Sequence, residues 1–526
     1  MKNSIAVLCV AIFSLITSCQ PRPKEPTQKV RVNLVSDPRT LDPRKSRDLN
    51  ERILINMMFE GLTREGKAGK NELALAKFVE IHEAGSCYII HLKDAYWSNG
   101  DKITAKDFVY AWSSSLTPSF PSENAYQLFC IKNAEAVKKG EKPISDLGAY
   151  AIDDSTLQID LERPIPYFLE LLSFSVFFPV HKEMDLQGWD LNRIPLISSG
   201  PFCLKQWKHN DSIETVKNQK YWDAEAVKLE EIHMVMVTED TEMRMFEKKQ
   251  LDWAGSPLSN FPFDLVEGFL NKDLLHVHPS FSTFFFRINV EKPPFNNVNI
   301  RKAFALAINR KALVEHVAKG GYTPALRFVP EAMGIEADPY FPDSDELQAK
   351  ALFQKGLEEL NMKMEDFPKI TFLYPTLQKN HVISQAVQQD WRQVLGVSVD
   401  LEANERKVYF ERIGKQDYQI AVSSWFADFN DPINFLSVFK YKKATTNNTQ
   451  WENKEYADLL DTSEIASQEL RMGILQKCES ILMQEMPIIP LYHQHMRYVK
   501  QQDLKDVAIS SLGNLDFKWA YLDNPN

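Results

Sequence analysis

The sequence predicts two α/β lobes that face each other across a cleft. From Val30 onward, short β-rich runs alternate with helical stretches, a pattern typical of α/β architecture. Residues 281–424 have the strand–helix–strand spacing of a doubly wound lobe, whereas the earlier part is richer in paired strands and predicts another lobe. The chain has 526 residues, 44% of them hydrophobic, which is enough to bury a large core in two or three domains. A cleft between two such lobes is a natural place to enclose a ligand.

Local patterns place the elements of these lobes in order along the chain. Residues 157–161 alternate with period two, and Thr104 followed by Asp107 has the spacing of a capping box that opens a helix. Asn299 is predicted to cap a later helix, and Gly396 to end another. The predicted strands are 30–35, 88–92, 157–161, 232–237, 284–290, 370–374, 397–401 and 420–424. The predicted helices lie near 47–59, from 104 onward, at 299–308, near 345–360 and at 382–395.

Composition and charge exclude several classes of protein. The chain carries 61 basic and 71 acidic residues, a net charge of −10, and no run of Lys or Arg. A nucleic acid partner is therefore not expected. With only 19 glycines the chain has few candidates for phosphate-binding loops, while its 32 Phe, 17 Tyr and 10 Trp suit the lining of a large pocket.

The first nineteen residues have the layout of an export signal. Lys2 supplies a positive charge, and residues 5–16 form an apolar run that is shorter than the about twenty residues a membrane span needs. The run ends in Leu15-Ile16-Thr17-Ser18-Cys19, which resembles a bacterial lipobox. We expect Cys19 to be acylated and to anchor the exported body at the bacterial cell membrane, in the periplasm or outside the cell; a buried cysteine is the alternative. Residues 20–29 contain three prolines and predict an extended tether.

No catalytic motif is present in the sequence, so no enzyme and no cofactor are expected. The pairs His276/His278 and His493/His495 could each face a metal ion from one strand, but no Cys, Asp or Glu at close spacing completes a set, and structural or solvated histidines are the expectation. The remaining cysteines are widely spaced and match no zinc pattern: Cys87, Cys130, Cys203 and Cys478. Buried thiols are expected there, with a disulfide as the alternative.

One segment carries a family resemblance. Residues 92–112 read Leu-Lys-Asp-Ala-Tyr-Trp-Ser-Asn-Gly-Asp-Lys-Ile-Thr-Ala-Lys-Asp-Phe-Val-Tyr-Ala-Trp, a strand end, a tight turn and a helix start. This segment resembles the signature of the peptide/dipeptide/nickel family of ABC-importer solute-binding lipoproteins, solute-binding protein family 5, and most closely its oligopeptide-binding members. Further matches follow in the family's order: Leu41-Asp42-Pro43, Phe59-Glu60-Gly61-Leu62, Ser199-Gly200-Pro201-Phe202, Tyr221-Trp222-Asp223, Pro294-Phe295-Asn296-Asn297-Val298, Arg301-Lys302-Ala303, Ala307-Ile308-Asn309-Arg310 and Trp425-Phe426-Ala427-Asp428-Phe429-Asn430-Asp431-Pro432.

The resemblance implies a two-lobed, class II-like periplasmic-binding-protein fold with an extra packed domain and a ligand cleft between the lobes. Its parts would be a signal peptide and lipobox at 1–19, a tether at 20–29, lobe I at 30–60 with 180–280 and 492–526, an extra domain II at 61–179, and lobe III at 281–491. The chain would cross between the lobes twice, near 279–284 and near 487–492. Two crossings form a hinge, so closure around a ligand is the implied motion.

The resemblance also implies how a peptide would be held. An ammonium group taken out of water needs a carboxylate partner, and the acid of the family's W-x-A-D motif falls on Asp428; the alternative is a turn residue before Asn430-Asp431-Pro432. Peptide main chain would add as a strand at Ser423–Trp425, which includes Ser423, Ser424 and Trp425, and near Pro38–Thr40, which includes Arg39. The matching positions place further side chains around the pockets: Trp425, Phe426, Tyr126, Phe284 and Phe285. Ordinary core packing is the alternative for each aromatic residue.

The sequence departs from the family pattern at three places. Val422 stands where the nearest relatives have an Arg for a tripeptide carboxylate, and Arg406 stands where they have a pocket Trp. Arg406 or Arg412 could receive a carboxylate instead. The relatives' two disulfide cysteines fall on Ser282 and Phe426, so that the disulfide is absent on both sides. These departures leave the preferred peptide length open.

The expected function is a monomeric receptor that delivers peptides of roughly two to five residues to the permease of an ABC importer. A murein peptide, haem or a nickel chelate are alternative ligands known in the wider family. A lipid-anchored peptide hydrolase is the alternative from another class, and a sensor or adhesin that uses the same cleft is a further one. Neither a metal nor a nucleic acid is expected.

Overall fold

The computed structural model describes residues 28–523 apart from 47, 68 and 190–194. The expected signal segment, Cys19 and most of the tether lie outside the described residues. Among the described helices, none has the length and apolarity needed to cross a bilayer.

The described chain alternates strands and helices, as expected for an α/β protein. The strands are β1 Lys29–Asn33, β2 Thr63–Glu65, β3 Asn71–Leu73, β4 Ala76–His82, β5 Cys87–Leu92, β6 Ala149–Ala151, β7 Thr156–Asp160, β8 Phe202–Lys208, β9 Ser212–Lys217, β10 Glu231–Val235, β11 Trp253–Gly255, β12 His276–Ile288, β13 Thr323–Pro324, β14 Ile370–Pro375, β15 Val399–Asn404, β16 Ile420–Phe426, β17 Ile488–Lys500, β18 Leu504–Lys505, β19 Ala508–Ile509, β20 Leu515–Asp516 and β21 Tyr521–Leu522. The α-helices are α1 Leu49–Met58, α2 Ala105–Leu116, α3 Ala134–Lys138, α4 Phe168–Leu171, α5 Lys182–Leu186, α6 Glu239–Glu247, α7 Val266–Leu270, α8 Val298–Leu306, α9 Arg310–Ala312, α10 Glu346–Glu359, α11 Gln378–Leu395, α12 Arg406–Gly414, α13 Ile433–Leu436, α14 Lys454–Ile465 and α15 Gln468–Glu485.

Two large hydrophobic cores define two lobes, which confirms the predicted fold class. The first core gathers buried residues between 30 and 258 and again between 504 and 520. It contains two four-stranded sheets, ordered β1-β10-β9-β8 and β4-β5-β7-β6. The second core draws its buried residues from 281 to 492. The residue limits of the three expected parts remain a prediction.

Two long strands connect the lobes. β12 and β17 each have 13 residues and pair antiparallel at the centre of the seven-stranded sheet β11-β17-β12-β16-β14-β15, with β13 on β17. At its far end β17 pairs with β11, so that Trp253 lies opposite Lys500. The pairing of β12 with β17 is interrupted between Pro279 and Thr283. This interruption is the weak point at which the strand pair can bend, because ladder hydrogen bonds are missing there.

The extra contact between the lobes lies away from these strands. The ring of Tyr167, from the first lobe, stacks on Phe429 of the second at 4.6 Å with planes 7° apart. Close by, Arg163 Nε lies 2.9 Å from Glu464 Oε2. The lobes therefore touch at a second place in addition to the strand pair.

Several element limits differ from the sequence predictions for identifiable reasons. Helix α11 begins at Gln378, four residues before the predicted 382, because its first turn is polar and shows no apolar periodicity. The cap of α8 is Asn297 and not Asn299: Asn297 Oδ1 accepts the N–H groups of Asn299 at 2.8 Å and Ile300 at 3.1 Å. Strand β12 starts at His276, eight residues before the predicted 284, since β17 pairs with its polar first half.

The described cysteines and histidines have structural surroundings. Cys87, Cys130, Cys203 and Cys478 are free thiols, so the disulfide alternative is wrong for them. His493 Nδ1 lies 2.9 Å from Thr283 Oγ1, and burial lowers the pKa of His493 to about 3, which keeps the ring neutral. His276 stacks on Tyr498 with ring centroids 5.0 Å apart.

Candidate functional site

Two adjoining cavities lie where the lobes face each other. The larger has a volume of about 1190 Å³ and is lined from both lobes, for example by Ser36 of the first and Val382 of the second. The smaller has a volume of about 260 Å³. Leu49, Phe426 and Leu512 line both cavities. The two spaces therefore form one continuous cleft, large enough to hold an extended ligand of several residues.

Asp428 lies on the wall of the smaller cavity, two residues beyond the end of β16. Its position is fixed by Asn434, whose Oδ1 accepts the Asp428 backbone N–H at 3.2 Å and the Trp425 indole N–H at 3.0 Å. One amide side chain thus ties the carboxylate and the preceding Trp together. The two residues that the sequence motif singled out belong to one rigid unit.

The electrostatic environment of Asp428 is unusual for a turn residue. Burial raises the pKa of the Asp428 carboxyl above its ordinary value, and the Asn434 side chain and the charge of Arg52 oppose that rise only in part. Arg52 lines the same cavity from α1, in the other lobe, and its Nη2 donates to the Leu512 carbonyl at 2.8 Å. Within the described residues, Asp428 has no ion pair at 4.0 Å or less. A half-buried carboxylate with an incomplete counter-charge is suited to receive a cationic group.

Beside Asp428, strand β16 has one open edge. The Ala427 N–H donates to the Phe281 carbonyl at 2.8 Å, which places the main-chain groups of odd-numbered β16 residues toward β12. The even-numbered residues point the opposite way, as the hydrogen bond from the Tyr409 hydroxyl to the Val422 carbonyl confirms. On that side β14 pairs only with Ile420 and Ala421, so in the described chain no strand covers the main chain of Ser424 and Phe426.

This alternation shows which residues of the expected strand-addition stretch have an unpaired main chain. Of the stretch Ser423–Trp425, only Ser424 presents its main chain at the open edge, because Ser423 and Trp425 pair with β12 opposite Phe285 and Thr283. The Ser423 hydroxyl is also in use, since it accepts from Arg287 Nε at 2.9 Å and Nη2 at 2.8 Å. The main chain of Phe426, two residues further along β16, also lies at the open edge.

The aromatic candidates divide into two groups. Phe426 is 58% exposed and lines both cavities, and Tyr126 is 52% exposed and lines the smaller one beside Asp428. Trp425 is half-buried and packs against the second core. Phe284 and Phe285 are buried in that core and line neither cavity. Phe284 stacks on Tyr492, and Phe285 packs edge-on against Phe328. Phe284 and Phe285 are thus packed in the core of the second lobe, which favours the core-packing alternative for both.

The structure places the three arginine candidates outside the two described cavities. The backbone N–H of Arg39 donates to Glu51 Oε1 at 3.0 Å, and its guanidinium donates to the same carboxylate, so its N–H is already in use. Arg406 is exposed at the start of α12, with its guanidinium 5.7 Å from the Phe410 ring. Arg412 pairs with Glu402 at 2.6 Å and Asp417 at 2.9 Å. Neither Arg39 nor Arg406 is on the described lining.

The turn after Asp428 is held by a buried ion pair that the sequence did not reveal. Arg471 of α15 donates from Nη1 to Asp431 Oδ2 at 2.7 Å and from Nη2 to Asp431 Oδ1 at 2.8 Å. The Arg471 side chain is 1% exposed. A bidentate pair of this geometry fixes both position and orientation of the turn.

Comparison with known proteins places this cleft in a family context. A family model described as bacterial extracellular solute-binding proteins, family 5 middle, matches residues 70–447. The oligopeptide-binding protein OppA of Bacillus subtilis is 38% identical over 502 residues, covering 94% of this chain and 92% of that protein. The dipeptide-binding protein DppE of Bacillus subtilis is 33% identical over 501 residues, covering 93% and 91%.

Solved structures with the same fold are also known. The unliganded open form of the periplasmic murein tripeptide-binding protein MppA superposes with a TM-score of 0.84 at 27% identity, covering 94% of this chain and 97% of that one. The peptide-bound OppA of Listeria monocytogenes superposes with a TM-score of 0.71 at 28% identity, covering 94% and 99%. Both superpositions cover 94% of this chain and show the same fold.

Proposed function

The chain belongs to family 5 of the bacterial extracellular solute-binding proteins, and from this premise we propose that it captures short peptides and delivers them to an ABC importer. The observation that carries the proposal is Asp428, a half-buried carboxylate at the junction of the lobes, beside an open strand edge. The names of the two Bacillus subtilis relatives, an oligopeptide-binding and a dipeptide-binding protein, support the same ligand class. Binding and release without chemical change agrees with the family's role as solute-binding proteins.

In this proposal the peptide is recognised by what all peptides share. Its α-ammonium meets Asp428, and its main chain pairs with Ser424 and Phe426 on the open edge of β16. Its side chains enter the two cavities, where bound water can fill the remaining space. Bending of β12 and β17 then brings the lobes together and removes the ammonium–carboxylate pair from bulk water, which strengthens it. The protein acts as a monomer, because one chain supplies both walls of the cleft.

Calorimetric titration of the ligand-free protein with alanine peptides of two to five residues tests this function. We expect saturable binding. N-methylation of an internal peptide amide that pairs with β16 should lower the affinity about tenfold, since one hydrogen bond is lost. Ser424→Ala is the matched control and should change affinity by less than about twofold, because its main chain is retained. If no peptide of this series binds, the proposed function is rejected.

We also propose that the protein is an exported lipoprotein anchored through Cys19. The support is the sequence alone: a charged start, a short apolar run and small residues before the cysteine. Cys19→Ala should move the protein from the membrane fraction to the soluble fraction and leave peptide affinity unchanged. Mass spectrometry of the mature N-terminal peptide should show acyl chains on the wild type only. An unchanged membrane fraction in the variant would contradict the anchor.

A further inference from the structure

Two cations on the wall of the larger cavity converge on one hydroxyl group. Lys379 Nζ donates to the Tyr322 hydroxyl at 3.0 Å, and Arg497 Nη2 donates to the same oxygen at 3.1 Å. Tyr322 is only 9% exposed, so its hydroxyl is held in place by packing. Among the described residues, no carboxylate forms an ion pair with either cation. A neutral phenol oxygen cannot neutralise two positive charges, so the cluster has an excess of positive charge.

A second observation points to a ligand at the same place. Arg497 Nη1 and Gln494 Nε2 are buried nitrogen atoms with no hydrogen-bond acceptor, and both residues line the larger cavity. Buried donors are normally satisfied, and two that share one cavity wall indicate an acceptor supplied from outside the chain.

The surroundings of the cluster add to its positive potential. Lys379 is the second residue of the 18-residue helix α11, whose N-cap residue Leu377 provides no side-chain cap, so the positive end of the helix dipole lies at Lys379. Lys319 also lines the cavity. On the described lining, Glu239 is the single carboxylate, against three Lys and Arg side chains. The wall as a whole therefore favours an anion.

We propose that Lys379, Arg497 and Tyr322 form an anion subsite that makes this chain prefer peptides ending in an acidic residue. The inference rests on the proposed peptide-binding function. The larger cavity adjoins the Asp428 cavity through Leu49, Phe426 and Leu512, so a peptide whose ammonium is at Asp428 extends its far end toward the cluster. A C-terminal Glu or Asp brings two carboxylates, which match the two converging cations and the unpaired donors better than one carboxylate does.

Paired peptides that differ only in the last side chain test the preference. Alanine peptides of three to five residues ending in Glu should bind at least about tenfold tighter than the same peptides ending in Gln, at the length that reaches the cluster. Lys379→Met should abolish the preference, and Lys379→Glu should reverse it toward peptides ending in Lys. Lys350→Met is the matched control, since Lys350 is exposed on α10 beside Glu346 and lines neither cavity. Circular dichroism should show that all variants are folded.

The outcomes separate this inference from the function on which it rests. Equal binding of the Glu and Gln peptides at every length would overturn the anion subsite and leave peptide capture intact. A preference for Glu that persists in folded Lys379→Met would assign the selectivity to other residues and overturn this site. Failure of all peptides to bind would overturn both.

Discussion

Peptide affinity is expected to fall by at least about 2 kcal/mol, roughly 30-fold, when Asp428 is replaced by Asn. The substitution keeps the shape of the side chain but removes the charge that meets the peptide ammonium. Arg52, which lines the same cavity, would then stand near the bound ammonium with Glu65 as the remaining carboxylate that acts on it. Calorimetry with tetraalanine measures the loss directly.

A matched ligand separates this role from a general disturbance of the cleft. N-acetyl-tetraalanine lacks the ammonium, so it should bind the wild type and Asp428→Asn with equally low affinity. Because burial raises the pKa of Asp428 in the ligand-free protein, wild-type affinity should also fall as the pH falls through that pKa, and the Asn variant should lack this step. Unchanged affinity of Asp428→Asn for tetraalanine would remove the residue from the site.

The free energy of unfolding is expected to fall by about 3–5 kcal/mol when Arg471 is replaced by Met, because Asp431 is left as an unpaired buried charge. The Arg471–Asp431 pair makes two hydrogen bonds of 2.7 and 2.8 Å. It also joins α15 to the turn that carries Asp428. Denaturant unfolding followed by tryptophan fluorescence, which the ten Trp residues make sensitive, measures the change.

Two further variants show whether the buried pair is the cause. Lys477→Met, on the same helix, removes an exposed pair with Glu455 at 2.6 Å and should cost less than about 1 kcal/mol. Arg471→Met combined with Asp431→Asn should recover part of the loss, since no buried charge remains. A loss in Arg471→Met no larger than that in Lys477→Met would show that the pair contributes little to stability.

Local periodicity was enough to predict the fold class, because strands and amphipathic helices carry their pattern in neighbouring residues. The pattern fails where an element is polar on all sides, as in the first turn of α11, or where pairing comes from a distant strand, as at the start of β12. In the same way, both Asn297 and Asn299 have the side chain of a helix cap. Only backbone geometry decides which of them accepts the hydrogen bonds.

The site was predictable only in part. A motif with fixed spacing singled out Asp428, which lines the smaller cavity, and Trp425, three residues before it. Phe284 and Phe285, in contrast, look alike in sequence whether they face a pocket or a core. Arg52 and the cluster around Tyr322 gave no local signal, because their contacts join distant segments: Arg52 and Leu512 are separated by 460 positions, and Tyr322 and Arg497 by 175. Asn434 is only six residues from Asp428, but its contacts depend on how the turn between them folds. Contacts of that kind follow from tertiary packing and not from neighbouring residues.

The stack of Tyr167 on Phe429 has a consequence for how this molecule moves. A single contact between two lobes would allow relative rotation about any axis through that contact. Two separate contacts restrict the rotation to the axis that passes through both. One attachment is the central strand pair, and the other is this ring stack with its neighbouring Arg163–Glu464 bridge. We therefore expect closure to be a rotation of one lobe about this single axis, with little rotation about any other axis. Asp428 would then reach the same position in the closed state whichever ligand is bound.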